Sequence, residues 1–294
     1  MIKIAAFPKC WINDISEGKI SLFKWIELAA ELDCDGLELY SEFLESHEPA
    51  YISRVKKSIE KANYEMPMMC YSPDFTKPDK SERQKEIQKQ IDIIRVTAEL
   101  GGQFCRTLSG QARPEITLEQ GIDWVTDCIE QCIPAAEECG IKIVMENHYK
   151  DGYWKYREFA LKEEVFSTII NRIDSPVFGV QYDPSNSLVA GDDYLEVLDK
   201  VISRVYTMHA SDRHLLPNKS IEELRESDGT LGYPEYLVHG VIGQGEIDYD
   251  EIFTRLKKHG YSSWVSIEDG VNGLEEMQQS LSYLQNLRKK YFSE

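Results

Sequence analysis

Four short motifs carry residues of the type that binds metal: Glu146 in IVMENH, Asp183 in GVQYDPSN, His209 in VYTMHASD and Glu268 in WVSIEDG. Each lies at the end of an apolar run. Singly, any of them could be an ordinary polar residue closing a strand. Brought together, three carboxylates would repel one another unless a cation compensated them. An oxygen-rich set with one imidazole suits Mn²⁺ or Mg²⁺ and tolerates Co²⁺ or Zn²⁺, and one divalent ion, Mn²⁺ first, is the expected cofactor.

The elements that must position these residues are short strand-like runs alternating with longer helical runs, the pattern of βα units around a parallel sheet. Eight strands are expected: 2–6, 36–39, 65–70, 103–108, 142–146, 178–182, 205–209 and 264–268. Most are short and apolar, as befits strands covered on both faces. Between them, apolar residues recur at intervals of three and four, and several helical stretches stop at Gly. The expected fold is therefore an α/β (β/α)₈ TIM barrel, one domain over residues 1–294, with a long loop insertion at about 210–247. That insertion is rich in polar and turn-forming residues, shows little strand or long-helix periodicity, and is expected to cap or line the site. In such a barrel the C-terminal rim collects residues far apart in sequence, so the four motifs fall on one face.

Composition narrows the function further. With 42% hydrophobic and 29% charged residues the chain can bury a substantial core. A formal charge of -18 disfavours nucleic acid and anionic membranes as partners. The N-terminal MIKIAAFPKC has neither a basic region nor an extended hydrophobic segment, so a cytoplasmic protein is expected. Seven scattered cysteines form no disulfide pattern and are read as reduced, with Cys128 and Cys132 on one packed helix face.

The motifs LELY around Glu38, MENH, YDPSN, MHASD, IGQGEIDY and SIEDG, in this order over nearly the whole chain, resemble the xylose isomerase-like barrel superfamily of sugar isomerases and epimerases. The resemblance implies that Glu146, Asp183, His209 and Glu268 hold one catalytic metal and that Glu146 and Glu268 are the acid/base pair. It implies a sugar epimerase or isomerase, abstracting a proton next to a carbonyl through a metal-stabilised enediolate. The same first step serves a lyase or dehydratase acting on a 3-oxo glycoside or an inosose, the alternative reading. A noncatalytic sugar-binding or complex-forming barrel is a further alternative. A carbohydrate or cyclitol is the expected ligand. The resemblance also allows a homo-oligomer and, for a glycoside lyase, a small second subunit. Two positions depart from the ketose epimerase pattern: Asn186 replaces a histidine, and Arg213 is the nearest counterpart of a substrate-binding arginine. HGVIGQG resembles the endonuclease branch, but Leu237 stands where that branch has an acid.

Other residues are candidates by position. His148, two after Glu146, could act as an acid at a leaving group, and His239 could reach the pocket. Asp212 and Arg213 follow His209 closely and could bind substrate. Glu38 at the end of the second strand, Lys9 and Trp11 in the first loop, and Trp154 with Tyr156 could bind or wall it.

Overall fold

The computed structural model describes residues 1–220, 223, 237–269 and 272–292. In chain order the strands are β1 (Lys3–Ala6), β2 (Gly36–Leu37), β3 (Leu39–Tyr40), β4 (Met68–Cys70), β5 (Phe104–Thr107), β6 (Lys142–Glu146), β7 (Phe178–Tyr182), β8 (Val205–Ala210), the short β9 (Arg213–Leu215) and β10 (Leu237–His239), and β11 (Trp264–Ile267). Every pairing in the main sheet is parallel, in the order β2-β1-β11-β8-β7-β6-β5-β4-β3. Only Glu38 separates β2 from β3, so the two are successive parts of one barrel strand and the ladder closes on itself. All eight expected strands are present, and the fold is a (β/α)₈ barrel. Their apolar side chains are almost entirely buried, the outward ones beneath helices.

Ten α-helices are described: α1 (Ile12–Ser16), α2 (Leu22–Leu28), α3 (Pro49–Lys61), α4 (Lys80–Leu100), α5 (Leu118–Cys139), α6 (Glu163–Arg172), α7 (Pro184–Ala190), α8 (Tyr194–Val201), α9 (Tyr249–Lys258) and α10 (Leu274–Phe292). Their ends obey local chemistry. The Asp79 carboxylate caps α4 by accepting from the Ser81 and Glu82 amides, and Thr117 and Gln120 form a reciprocal capping box on α5. Both helices stop at a left-handed glycine, Gly101 and Gly140. Cys128 and Cys132 are buried on one face of α5, and all seven cysteines are free. No described helix is long and apolar enough to cross a membrane.

The expected insertion after β8 differs from its sequence reading. Its two ends pair as an antiparallel hairpin, β9 with β10, placing Arg213 opposite His239. The middle of the insertion lies outside the described residues. Three-residue strands are too short to leave a periodic signal, and pairing across more than twenty residues is invisible locally.

Candidate metal and catalytic site

Glu146 ends β6, Asp183 directly follows β7, His209 lies in β8 and Glu268 directly follows β11. One donor atom from each lies within 4.8 Å of the others, and all four residues are buried. The C-terminal rim thus gathers three carboxylates and one imidazole.

Each donor is aimed by a neighbour. His209 Nε2 lies 2.5 Å from Glu38 Oε1, which also accepts from Cys70 Sγ at 3.0 Å. With the Nε2 hydrogen given to Glu38, the Nδ1 lone pair faces Glu146 Oε1 at 3.2 Å and Glu268 Oε2 at 3.6 Å. A carboxylate behind the imidazole is how proteins orient a metal-ligating histidine. Asp183 divides its two oxygens. Oδ1 caps α7, accepting from the amides of Ser185 at 2.7 Å and Asn186 at 3.1 Å, while Oδ2 is buried with no hydrogen-bond partner. Asn147 fixes the Asp183 backbone from both sides, donating to its carbonyl and accepting from its amide.

The electrostatics of the cluster favour a cation. Burial, then the charges of Glu268 and Glu146, push the Asp183 carboxyl up to about 7. Burial would lower His209, but the Glu38, Glu146 and Glu268 charges outweigh it and raise the imidazole well above its ordinary value. A divalent cation among these four residues would relieve both effects and satisfy the orphaned Asp183 Oδ2. The residues therefore fit such an ion.

Two further cations reach the carboxylates. Arg106 Nη1 donates to Glu146 Oε2 at 2.7 Å, and Lys9 Nζ donates to Glu268 Oε1 at 3.0 Å. Burial opposes ionisation of both acids. Arg106 and His209 nevertheless hold Glu146 at about 2, and Lys9 and His209 hold Glu268 well below the usual carboxylate range. A cavity of about 320 Å³ opens above them, lined by Phe7, Lys9, Tyr40, Arg106, His148 and Glu268 among others. His148 Nδ1 lies 3.6 Å from Glu158 Oε2. Burial lowers this imidazole, but the Glu146 charge and Glu158 together raise it. A larger groove of about 860 Å³, between 241–244 and α10, touches none of these residues.

Several candidates are placed elsewhere than the sequence suggested. Glu38 does not face the opening; it lies fully buried behind His209. The Asn186 amide is 3.4 Å from Glu146 Oε1, beside the cluster. The Asp212 carboxylate is occupied by the Gly243, Gly245 and Ile247 amides, which shape the loop. Arg213 is buried and its Nε donates to Ser185 Oγ at 3.2 Å. His239 Nδ1 is 2.7 Å from Asp269 Oδ1, with burial, Arg213 and Lys9 holding the ring well below its ordinary pKa. Trp11 packs against Trp25, ring centroids 5.6 Å apart, and Trp154 lines an adjoining cavity. Sequence reasoning missed Arg106 and Glu158. The signal for Arg106 was a lone charge inside the apolar strand run QFCRTL; Glu158, in an irregular segment, had none.

Known proteins agree with this architecture. Over 283 residues the chain is 23% identical to inosose dehydratase 2 of Bacillus cereus, covering 91% of this chain and 89% of that one. Among solved structures, a D-tagatose 3-epimerase-like protein matches with a TM-score of 0.76 at 19% identity, covering 99% of this chain and 98% of its own. The IOLI protein with a binding zinc atom matches with a TM-score of 0.75 at 18% identity over the full length of both. A model of the xylose isomerase-like TIM barrel matches residues 26–287, and the chain belongs to that family.

Proposed function

We propose that this chain is a metal-dependent lyase of the dehydratase type, eliminating water from a polyhydroxylated ring ketone of the inosose kind. The observation that carries the reading is the pairing of each catalytic carboxylate with its own cation, Glu146 with Arg106 and Glu268 with Lys9. Epimerisation requires one carboxylate to take a proton and a second, already protonated, to return one from the other face. Two acids each held ionised by a cation are poorly set for that exchange. Elimination needs only one base and a proton donor at the departing oxygen. The whole-length similarity to an inosose dehydratase supports the same choice, which puts elimination ahead of the epimerisation expected from the motifs.

A divalent ion held by Glu146, Asp183, His209 and Glu268 would supply Lewis-acid polarisation of the substrate ketone. Glu268, which lines the cavity, takes the proton from the carbon beside the ketone. Arg106 places a fixed positive charge where the ketone oxygen becomes negative. His148, with Nδ1 turned to Glu158, presents its other nitrogen to the β-hydroxyl and protonates it as it leaves as water.

The test is incubation of Mn²⁺-loaded protein with inososes in D₂O, followed by NMR. Loss of water is expected, with Glu268→Gln slowing both α-proton exchange and elimination by about 10²-fold or more. His148→Asn is expected to keep exchange and slow water loss. Inversion at carbon without loss of water would establish an epimerase instead, and binding without any exchange would establish a noncatalytic barrel.

A further inference from the structure

The segments that follow β5 and β6 run side by side, bridged antiparallel at Gln111 and Glu158. Two backbone bonds tie them, from Phe159 N to the Gly110 carbonyl at 2.7 Å and from Ala112 N to the Arg157 carbonyl at 2.9 Å, and Ala160 N adds a bond to Ser109 Oγ at 2.9 Å. The Glu158 amide donates back to the carbonyl of Tyr149, the neighbour of His148, at 2.8 Å. The backbone of Glu158 is thereby fixed beside His148.

Its side chain is buried and held at one end only. Oε1 accepts from the Ser109 amide at 2.7 Å and from the Ser109 hydroxyl. Oε2 has no hydrogen-bond partner among the described residues; nor has His148 Nδ1, which lies 3.6 Å from it. A buried carboxylate oxygen without a donor is costly, and the imidazole is placed to supply one. Bonds of this kind are often long before substrate binds and tighten around it. His148 borders the catalytic cavity, whereas Glu158 lies behind it on the Nδ1 side.

We propose that Glu158, anchored by Ser109, is the positioning residue for the leaving-group step. This rests on the elimination reading and adds to it the group that aims the acid. With Nδ1 donating to Oε2 the ring cannot turn, and Nε2 stays on the departing oxygen. Glu268 takes the α-proton, the electron pair left behind forms the new carbon–carbon double bond, and the C–O bond breaks with its pair passing to oxygen. His148 Nε2 protonates that oxygen, and water leaves. Only a carboxylate serves behind the ring. In Glu158→Gln the two Ser109 donors claim the amide oxygen, which turns the NH₂ group toward Nδ1 and opposes its hydrogen.

The test compares wild type, Glu158→Gln and Ser109→Ala, each loaded with Mn²⁺, in D₂O on an inosose and on its analogue with fluorine in place of the departing hydroxyl. Fluoride leaves with its electron pair and needs no proton, so its loss bypasses His148. Glu158→Gln is expected to slow water loss about 10²-fold, the scale of a misaimed catalytic group, while α-proton exchange and fluoride release stay close to wild type. Ser109→Ala should show the same selectivity with a smaller loss. Water loss at the wild-type rate in Glu158→Gln would mean that His148 needs no partner, and equal slowing of water and fluoride loss in both variants would mean general damage to the pocket. Either result would overturn the role of Glu158 and leave the elimination reading standing. Wild-type protein that releases fluoride but no water would sink the elimination of water and the role of Glu158 with it.

Discussion

Glu38 shows how a residue can be noticed in a sequence and still be misplaced. It follows the first half of the second barrel strand, and the rim position suggested a substrate contact. Strand residues alternate between faces, and a single residue's aim depends on where the ladder is interrupted. Here the interruption falls on Glu38 itself, and its carboxylate goes to His209 Nε2. Glu38→Gln keeps the shape but removes the carboxylate that accepts the Nε2 hydrogen and so leaves the Nδ1 lone pair facing the other donors. Mn²⁺ affinity is expected to fall about 10- to 100-fold, with the fold intact by circular dichroism. Unchanged affinity in calorimetry would mean that Glu38 does not orient the histidine. Glu146, Asp183, His209 and Glu268 stood out because each closes an apolar run; Lys9 stood out only as a substrate contact and Arg106 not at all, since their pairings with Glu268 and Glu146 join segments distant in sequence.

Elements carry the same lesson at a larger size. The eight strands and the long helices could be read because apolar periodicity persists over enough residues to register. Helix α7 was not anticipated: PSNSLVA is seven residues long and half polar, and it is started by Asp183 as cap with Pro184 at the first position. Nor was the loop following β10, where the Asp212 carboxylate gathers the amides of Gly243, Gly245 and Ile247 into a tight turn. Such a turn works because nothing projects from Gly245; a Cβ there would press on Asp212 Oδ1 and the Arg213 carbonyl. Gly245→Ala is expected to cost about 1–3 kcal/mol of stability through displaced backbone. Thermal unfolding measures it, and a melting temperature equal to wild type would show that the loop yields without strain.

Across the whole molecule, the alternation of eight strand and helix runs made the barrel legible, whereas the charge state of its rim emerges only when four chain segments meet. That state makes metal binding and folding depend on pH together. Asp183 is raised from 3.8 to about 7. Its contribution to stability is therefore full below the unfolded value and is lost as pH rises through about 7. His209, raised well above 6.5, has the same sign and loses its contribution at higher pH. Glu146 and Glu268 are depressed and have the opposite sign: their contribution is present above the unfolded value of 4.5 and is lost only in acid. Between about pH 5.5 and 8 the two carboxylates are constant, and Asp183 and His209 determine how the cluster responds. Both must shed a proton to become ligands, so affinity for a divalent ion rises over the same interval. The gain in melting temperature on saturation with Mn²⁺ should accordingly be larger at about pH 8 than at about pH 5.5, and chelation should abolish it. Comparing loaded with chelated protein at each pH cancels groups that do not touch the ion. In Asp183→Asn the loaded protein should lose most of this gain, while the amide oxygen can still cap α7. A gain independent of pH, or one retained in Asp183→Asn, would show that the ion binds elsewhere than in this cluster.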